Sequence, residues 1–259
     1  MRPAGSRWLT CALMLYGLAR IEPAGADAGA STSVQGMSSA QMSSLMQMDD
    51  TEPIGKLLLD ELEWRDTSDG GAFVWEGQGS YGGDYDKLVV RSEGERVGDD
   101  TRNARVELLW DRIIARWWDL QAGAREDFGG GPPRSWAAFG LAGVAPYGFD
   151  TAITLYAGDA GRVAARLRSE VDLLLTQRLI LQPQIEANLY GQPDRARRLG
   201  SGFSDVDIGL RLRYEVRREL APYLGIAWTQ WSAETARLLH PLTARRGEAQ
   251  FVAGLRLWL

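Results

Sequence analysis

The chain has 259 residues, a formal net charge of −5, 45% hydrophobic and 24% charged residues, one cysteine and one histidine. One cysteine excludes a disulfide framework and a cysteine zinc site, one histidine excludes a histidine-rich metal centre, and the acidic balance weighs against a nucleic-acid partner. No internal stretch approaches the ~20 uncharged apolar residues of a membrane-spanning helix, yet 30 glycines and 10 tryptophans exceed ordinary usage and need a reason.

The first 26 residues read as a secretory signal peptide. Arg2 and Arg7 supply the positive start, Trp8 to Ala19 the short apolar run, and Ala24-Gly25-Ala26 the small-residue cleavage pattern. Cys11 falls inside this leader, so the exported protein would carry no thiol. Residues 27–56 are rich in Ala, Ser, Gly and Gln and too poor in apolar bulk to form a core, so this segment is expected to be disordered. It holds Met37, Met42, Met46 and Met48. Thioethers are soft ligands that select Cu(I), which makes these four candidate metal ligands; a short amphipathic helix is the plainer alternative.

Over 57–259 the period is two. Val206, Ile208, Leu210, Leu212, Tyr214 and Val216 alternate with Asp205, Asp207, Gly209, Arg211, Arg213, Glu215 and Arg217, and residues 162–173 and 179–190 behave alike. Alternation is the mark of a strand with one apolar and one polar face. These runs are longer than a globular strand and match the ~9–11 residues that cross a bilayer. Lipid cannot satisfy an open sheet edge, so such strands must close on themselves.

The predicted strands are 57–66, 72–81, 86–97, 102–112, 117–127, 134–145, 148–158, 162–175, 178–190, 204–217, 221–231 and 248–259. Twelve is an even number, as single-chain outer-membrane barrels require. Short turns at 82–85, 113–116, 146–147, 176–177 and 218–220 alternate with a set that includes the long loops 191–203 and 232–247. The fold class is thus all-β, a transmembrane antiparallel up-and-down β-barrel with a disordered N-terminal segment. Trp110, Trp117, Trp118, Trp136, Tyr147, Phe149, Tyr223, Trp228 and Trp231 fall near strand ends, where interfacial aromatics are expected. Glycine in the strands would serve bends and close interior packing.

The inward positions carry Arg105, Glu107, Asp111, Asp119, Arg125, Asp127, Arg162, Arg166, Arg168, Glu170, Asp172, Glu186, Asp205, Asp207, Arg211, Arg213, Glu215, Arg217 and Arg256. Charges of both signs predict a salt-bridged, largely filled interior. The carboxylates Glu107, Asp111, Asp119, Glu170, Asp172, Glu186, Asp205 and Asp207 are the alternative candidates for an ion path or metal site, with oxygen chemistry suited to hard or borderline ions. Catalysis has little support. The lone His240 sits beside Pro241 in the 232–247 loop, and no phosphate loop, cysteine pair or nucleophile elbow occurs.

Several runs point to one family. They are Tyr81-Gly82-Gly83-Asp84, Ser92-Glu93-Gly94-Glu95, Trp118-Asp119-Leu120-Gln121-Ala122-Gly123, Trp136-Ala137-Ala138-Phe139-Gly140, the stretch from Asp172 to Pro183, Leu210-Arg211-Leu212-Arg213-Tyr214-Glu215 and Phe251-Val252-Ala253-Gly254. Over about 54–259 the chain resembles the copper resistance protein B family of bacterial outer membranes. The resemblance implies binding of copper ions or their movement across the outer membrane, with a periplasmic N-terminal segment, outer-membrane lipid around the barrel, and a periplasmic multicopper oxidase and small copper carriers as partners. That family carries a Met- and His-rich N-terminal segment and tends to end in an aromatic. Here no histidine accompanies the four methionines and Leu259 follows Trp258, which implies weaker copper capture and altered insertion. A structural or general-diffusion barrel without metal specificity is the competing reading.

Overall fold

The structure, a computed structural model, describes residues 53–68 and 70–259. Thirteen strand segments form one antiparallel sheet: β1 (Ile54–Thr67), β2 (Gly70–Gly82), β3 (Asp86–Val97), β4 (Asp100–Ala115), β5 (Trp118–Phe128), β6 (Arg134–Ala145), β7 (Phe149–Gly158), β8 (Val163–Glu170), β9 (Leu173–Leu174), β10 (Leu179–Tyr190), β11 (Gly202–Tyr214), β12 (Leu220–Trp231) and β13 (Gly247–Trp258). One α-helix, α1 (Ala233–Leu239), follows β12. Each strand pairs with its neighbours in chain order, and β13 returns to pair with β1. The sheet is therefore a closed barrel with no free edge.

Segments β8 and β9 are one stave, since both pair with β10. The gap at Val171-Asp172 has a cause in Pro183 of β10. Val171 N donates to Pro183 O at 3.2 Å, but proline has no N–H to return. The stave count is then twelve, as the periodicity predicts.

Strand boundaries fall within a few residues of those predicted. The barrel begins at Ile54 rather than at residue 57, and β11 ends at Tyr214 rather than at 217. Arg217, expected in the lumen, is therefore exposed in the 215–219 turn. Arg162 also lies outside its strand, where it pairs with Asp159 at 2.7 Å. One end of the barrel bears the short turns 83–85, 116–117, 146–148, 175–178 and 215–219; it is called here the turn end. The other bears the loops 129–133, 191–201 and 232–246 and is the loop end. In the three-residue β6–β7 turn, Pro146-Tyr147-Gly148, Tyr147 (φ 68°) and Gly148 (φ +80°) both take left-handed backbone.

The two faces differ as the alternation requires. Outward side chains include Leu108, Ile153, Leu155, Ile185, Leu210, Ile226 and Phe251, all exposed on the barrel wall. Trp110 and Trp117 sit at the rim of this face near the turn end. Arg112 and Arg116 lie over their rings at 5.9 and 5.2 Å, and Trp110 Nε1 donates to Asp86 at 3.1 Å. Two aromatics assigned to the rim by sequence belong elsewhere. Trp136 and Tyr223 are each 6% exposed and point inward. Trp136 joins Val89, Leu109, Ala138, Tyr156 and Ala164 in an apolar cluster inside the barrel on its β3–β8 side.

Candidate functional site in the charged lumen

The lumen is built by β1 as much as by any strand, through a bulge. Register with β13 and β2 shifts between Leu59 and Leu62. A bulge adds a residue and reverses the phase of alternation. Asp60 and Glu61 therefore both point inward, followed by Glu63 and Arg65.

Glu63 is fully buried. It accepts from Arg211 Nε at 3.1 Å and Nη2 at 3.2 Å, from Arg65 Nε at 2.5 Å and from Tyr223 OH at 3.0 Å. Arg211 also reaches Glu61 at 2.8 Å and Gln184 at 2.5 Å. Gly254 leaves room for this arrangement: a Cβ there would lie 2.6 Å from the Tyr223 ring and 2.7 Å from Glu63 Cβ.

A second group spans the barrel. Arg168 of β8 reaches Asp60 at 3.2 Å, Glu170 at 3.1 Å and Glu76 of β2. Arg166, two residues earlier on the same strand, grips Glu93 of β3 with two bonds of 3.0 and 2.8 Å and Glu186 at 2.7 Å. Arg105 pairs with Glu93 and lies 3.6 Å from Glu186. In the strand order β2 is diametrically opposite β8, with β1 and β3 beside β2, so the bonds from Arg166 and Arg168 to Asp60, Glu76 and Glu93 cross the lumen.

Between these groups and the turn end lie two abutting cavities of about 290 and 380 Å3 that share Leu58 and Gln78. The inner one is bounded by Arg91, Arg105, Arg166 and Arg168 together with Asp60 and Glu76. The outer one reaches the turn end beside Lys56, Arg218 and Trp258.

The loops at the loop end are tied together. Asp194 accepts from Arg134 at 2.8 Å and from the backbone N–H groups of Ala196 and Arg197, and Arg197 donates to Pro132 O at 2.8 Å. The 191–201 loop is thus pinned to the 129–133 loop. On its other side Gly200 N donates to Thr235 Oγ1 and Ser201 to Glu234, both on α1. Burial alone would raise the Asp194 carboxyl, but the Arg134 hydrogen bond and charge, with the Arg197 N–H and Arg162, hold it below the ordinary aspartate value. His240 follows α1 with its ring edge on Trp231, centroids 5.4 Å apart.

The carboxylates singled out by sequence are mostly engaged. Glu107 accepts from Tyr156 OH at 2.7 Å, with Arg91 3.7 Å away. Asp111 accepts from Gln121 at 2.7 Å, and Asp119 neighbours Asp111 and Lys87. Asp172 holds Arg213 at 2.6 Å, Asp205 holds Asn188 at 2.9 Å, and Asp207 holds Thr229 at 2.7 Å. Glu170 and Glu186 belong to the cross-lumen group. Among the described residues no three His, Cys, Asp or Glu side chains stand together as a metal would need. Met37, Met42, Met46 and Met48 lie outside the described residues. The sequence reading missed Asp60, Glu61, Glu63, Arg65, Glu76, Arg91 and Glu93, which carry much of the network.

A closed twelve-stave barrel with an apolar wall and a charged, occupied interior defines an outer-membrane barrel protein of the porin-like class. A solved NanC porin structure has the same fold, with a TM-score of 0.50 at 13% identity, covering 80% of this chain and 100% of that one. The family model "Copper resistance protein B precursor (CopB)" matches residues 53–259, the whole of the described barrel, and the chain belongs to that family. It is 46% identical over 212 residues to a copper resistance protein B homolog of Pseudomonas syringae pv. tomato, covering 82% of this chain and 72% of the relative. It is 44% identical over 202 residues to copper resistance protein B of Escherichia coli, covering 78% and 68%. This is a copper-resistance protein of the outer membrane.

Proposed function

We propose that this protein serves copper resistance by binding copper ions and moving them across the outer membrane, without enzymatic chemistry. Its outer face contacts outer-membrane lipid. Its N-terminal segment lies in the periplasm, where Met37, Met42, Met46 and Met48 take Cu(I) from small copper carriers working beside a multicopper oxidase. Copper is the cargo. The observation that carries this reading is a family match spanning the whole barrel, joined to a lumen whose cavities carry the oxygen ligands Asp60, Glu76, Gln78, Glu93, Glu107 and Glu170 among their arginines and apolar residues. Carboxylate and amide oxygens suit a borderline ion in transit, and thioethers suit its reduced form.

The cross-lumen ion pairs weigh against a general-diffusion barrel, which needs a clear aqueous path. Two experiments test the reading. A chromogenic Cu(I) chelator should lose copper to the full chain and keep it when the four methionines are changed to serine. A strain lacking the gene should regain copper tolerance with the intact chain and only in part with the serine variant. Equal competition and equal tolerance would remove the methionines from the account.

A further inference from the structure

The crossing charges are arranged as two facing pairs. Arg166 and Arg168 are alternate residues of β8 and share one face. Glu76 and Glu93 stand directly opposite each other in the β2–β3 register, both inward. Like charges in that relation repel; Arg105 of the neighbouring strand offsets Glu93 in part, and the remaining compensation comes from the guanidiniums that arrive from the far wall. Glu93 receives Arg166 through two parallel bonds, and Glu76 receives Arg168. This planar, two-pronged grip is available to arginine and not to lysine.

The group is also well shielded: the side chains of Arg166, Arg168 and Glu93 are 11%, 14% and 15% exposed. Arg166, Arg168, Glu76 and Glu93 all line the inner cavity. What enters from the turn end meets a bolt.

We propose that Arg166 and Arg168, clasped to Glu93 and Glu76, bolt the lumen shut, and that withdrawing them opens a path for inorganic cations. With the arginines drawn back, Glu76, Glu93, Asp60, Glu170 and Glu186 face the opening with less compensating charge. The exposed wall is then acidic and favours cations over anions. This deepens the copper-transport reading by naming what must move before any ion passes. It concerns the occlusion of the barrel and is tested without copper.

The test is conductance of the purified full chain in planar bilayers under a potassium chloride gradient, with heat-modifiable gel mobility confirming a folded barrel. The wild type should be nearly silent. The double variant Arg166→Gln/Arg168→Gln should conduct, with a reversal potential of the sign for cations. The double variant Glu76→Gln/Glu93→Gln withdraws two of the three far-wall carboxylates, leaves Arg166 to Glu186 and Arg168 to Asp60 and Glu170, and makes the local charge two units more positive. It should conduct with the opposite sign. Opposite signs from two sides of one contact separate a bolt from a leak through a damaged wall. If only one double variant folds, its conductance and sign decide.

The proposal is overturned if the wild type is an open pore. It is equally overturned if a folded variant is as silent as the wild type, or if both variants leak with the same sign. Such a failure leaves the copper reading standing, because tolerance and chelator competition test that separately.

Discussion

Glu63 gives the most exacting stability test of the filled lumen. Glu63→Gln keeps the shape and removes the charge that Arg211, Arg65 and the Tyr223 hydroxyl all address. Breaking a buried pair by neutralising one partner costs about 3–5 kcal/mol, because it leaves the other charge buried and unpaired. Here both arginines keep a second partner. Arg211 retains Glu61 at 2.8 Å, and Arg65 retains Glu61 at 3.3 Å and Asp207 at 3.6 Å. The loss should therefore sit at the lower end, about 3 kcal/mol. Urea titration of the barrel in detergent micelles, followed by tryptophan fluorescence and gel mobility, measures it. Glu219→Gln, in the exposed 215–219 turn, is the control and should shift nothing resolvable. A loss below about 1 kcal/mol for Glu63→Gln is the range of solvated surface pairs and would refute a dry interior at this level.

Two further outcomes follow from other parts of the barrel. Gly254→Ala places a methyl 2.6 Å from the Tyr223 ring and should destabilise the barrel by about 1–3 kcal/mol in the same titration, with tyrosine displaced from Glu63. The Asp194 carboxyl is held below its ordinary value in the folded loop, so its contribution is fully present above pH ~4 and is lost as pH falls through the lowered value. Hydrogen exchange of residues 191–201 should accelerate only in that acidic window. Asp194→Asn should abolish the pH dependence and expose Arg195, Arg197 and Arg198 to trypsin at neutral pH, roughly fivefold faster for a loss of about 1 kcal/mol. Unchanged cleavage would mean that the contact with Arg134 does not hold the loop.

Legibility in the sequence followed contrast between the two faces. Strands β8, β10 and β11 alternate aliphatic with charged residues, because one face meets an apolar surround and the other an ionic interior, and a period of two is enough to sort them. Strand β2 hides its phase. Its inward positions begin with Ala72 and Val74 opposite outward Phe73 and Trp75, and its outward positions then continue as Gly77 and Gly79, so the two faces differ little and the inward direction of Glu76 and Gln78 is hidden. Strand β1 runs Leu57-Leu58-Leu59-Asp60-Glu61, and the bulge there breaks the period at the place where two carboxylates turn inward. Trp136 and Tyr223 look like rim residues because an aromatic near a strand end reads the same whichever way it points. The cross-lumen partnerships depend on barrel closure and shear, which no local pattern encodes. The resemblance to the copper resistance protein B family rested on longer runs such as Asp172 to Pro183, whose proline also marks the interrupted stave.

The central claim is that copper is the cargo of this barrel and its N-terminal segment. Anomalous scattering at the copper edge, from crystals of the full chain loaded with copper, tests it most directly. The account predicts copper peaks on the methionine segment or among the lumen oxygens, lost when Met37, Met42, Met46 and Met48 are serine or when the lumen carboxylates are amides. Loaded crystals of folded protein with no copper peak in either place would contradict it.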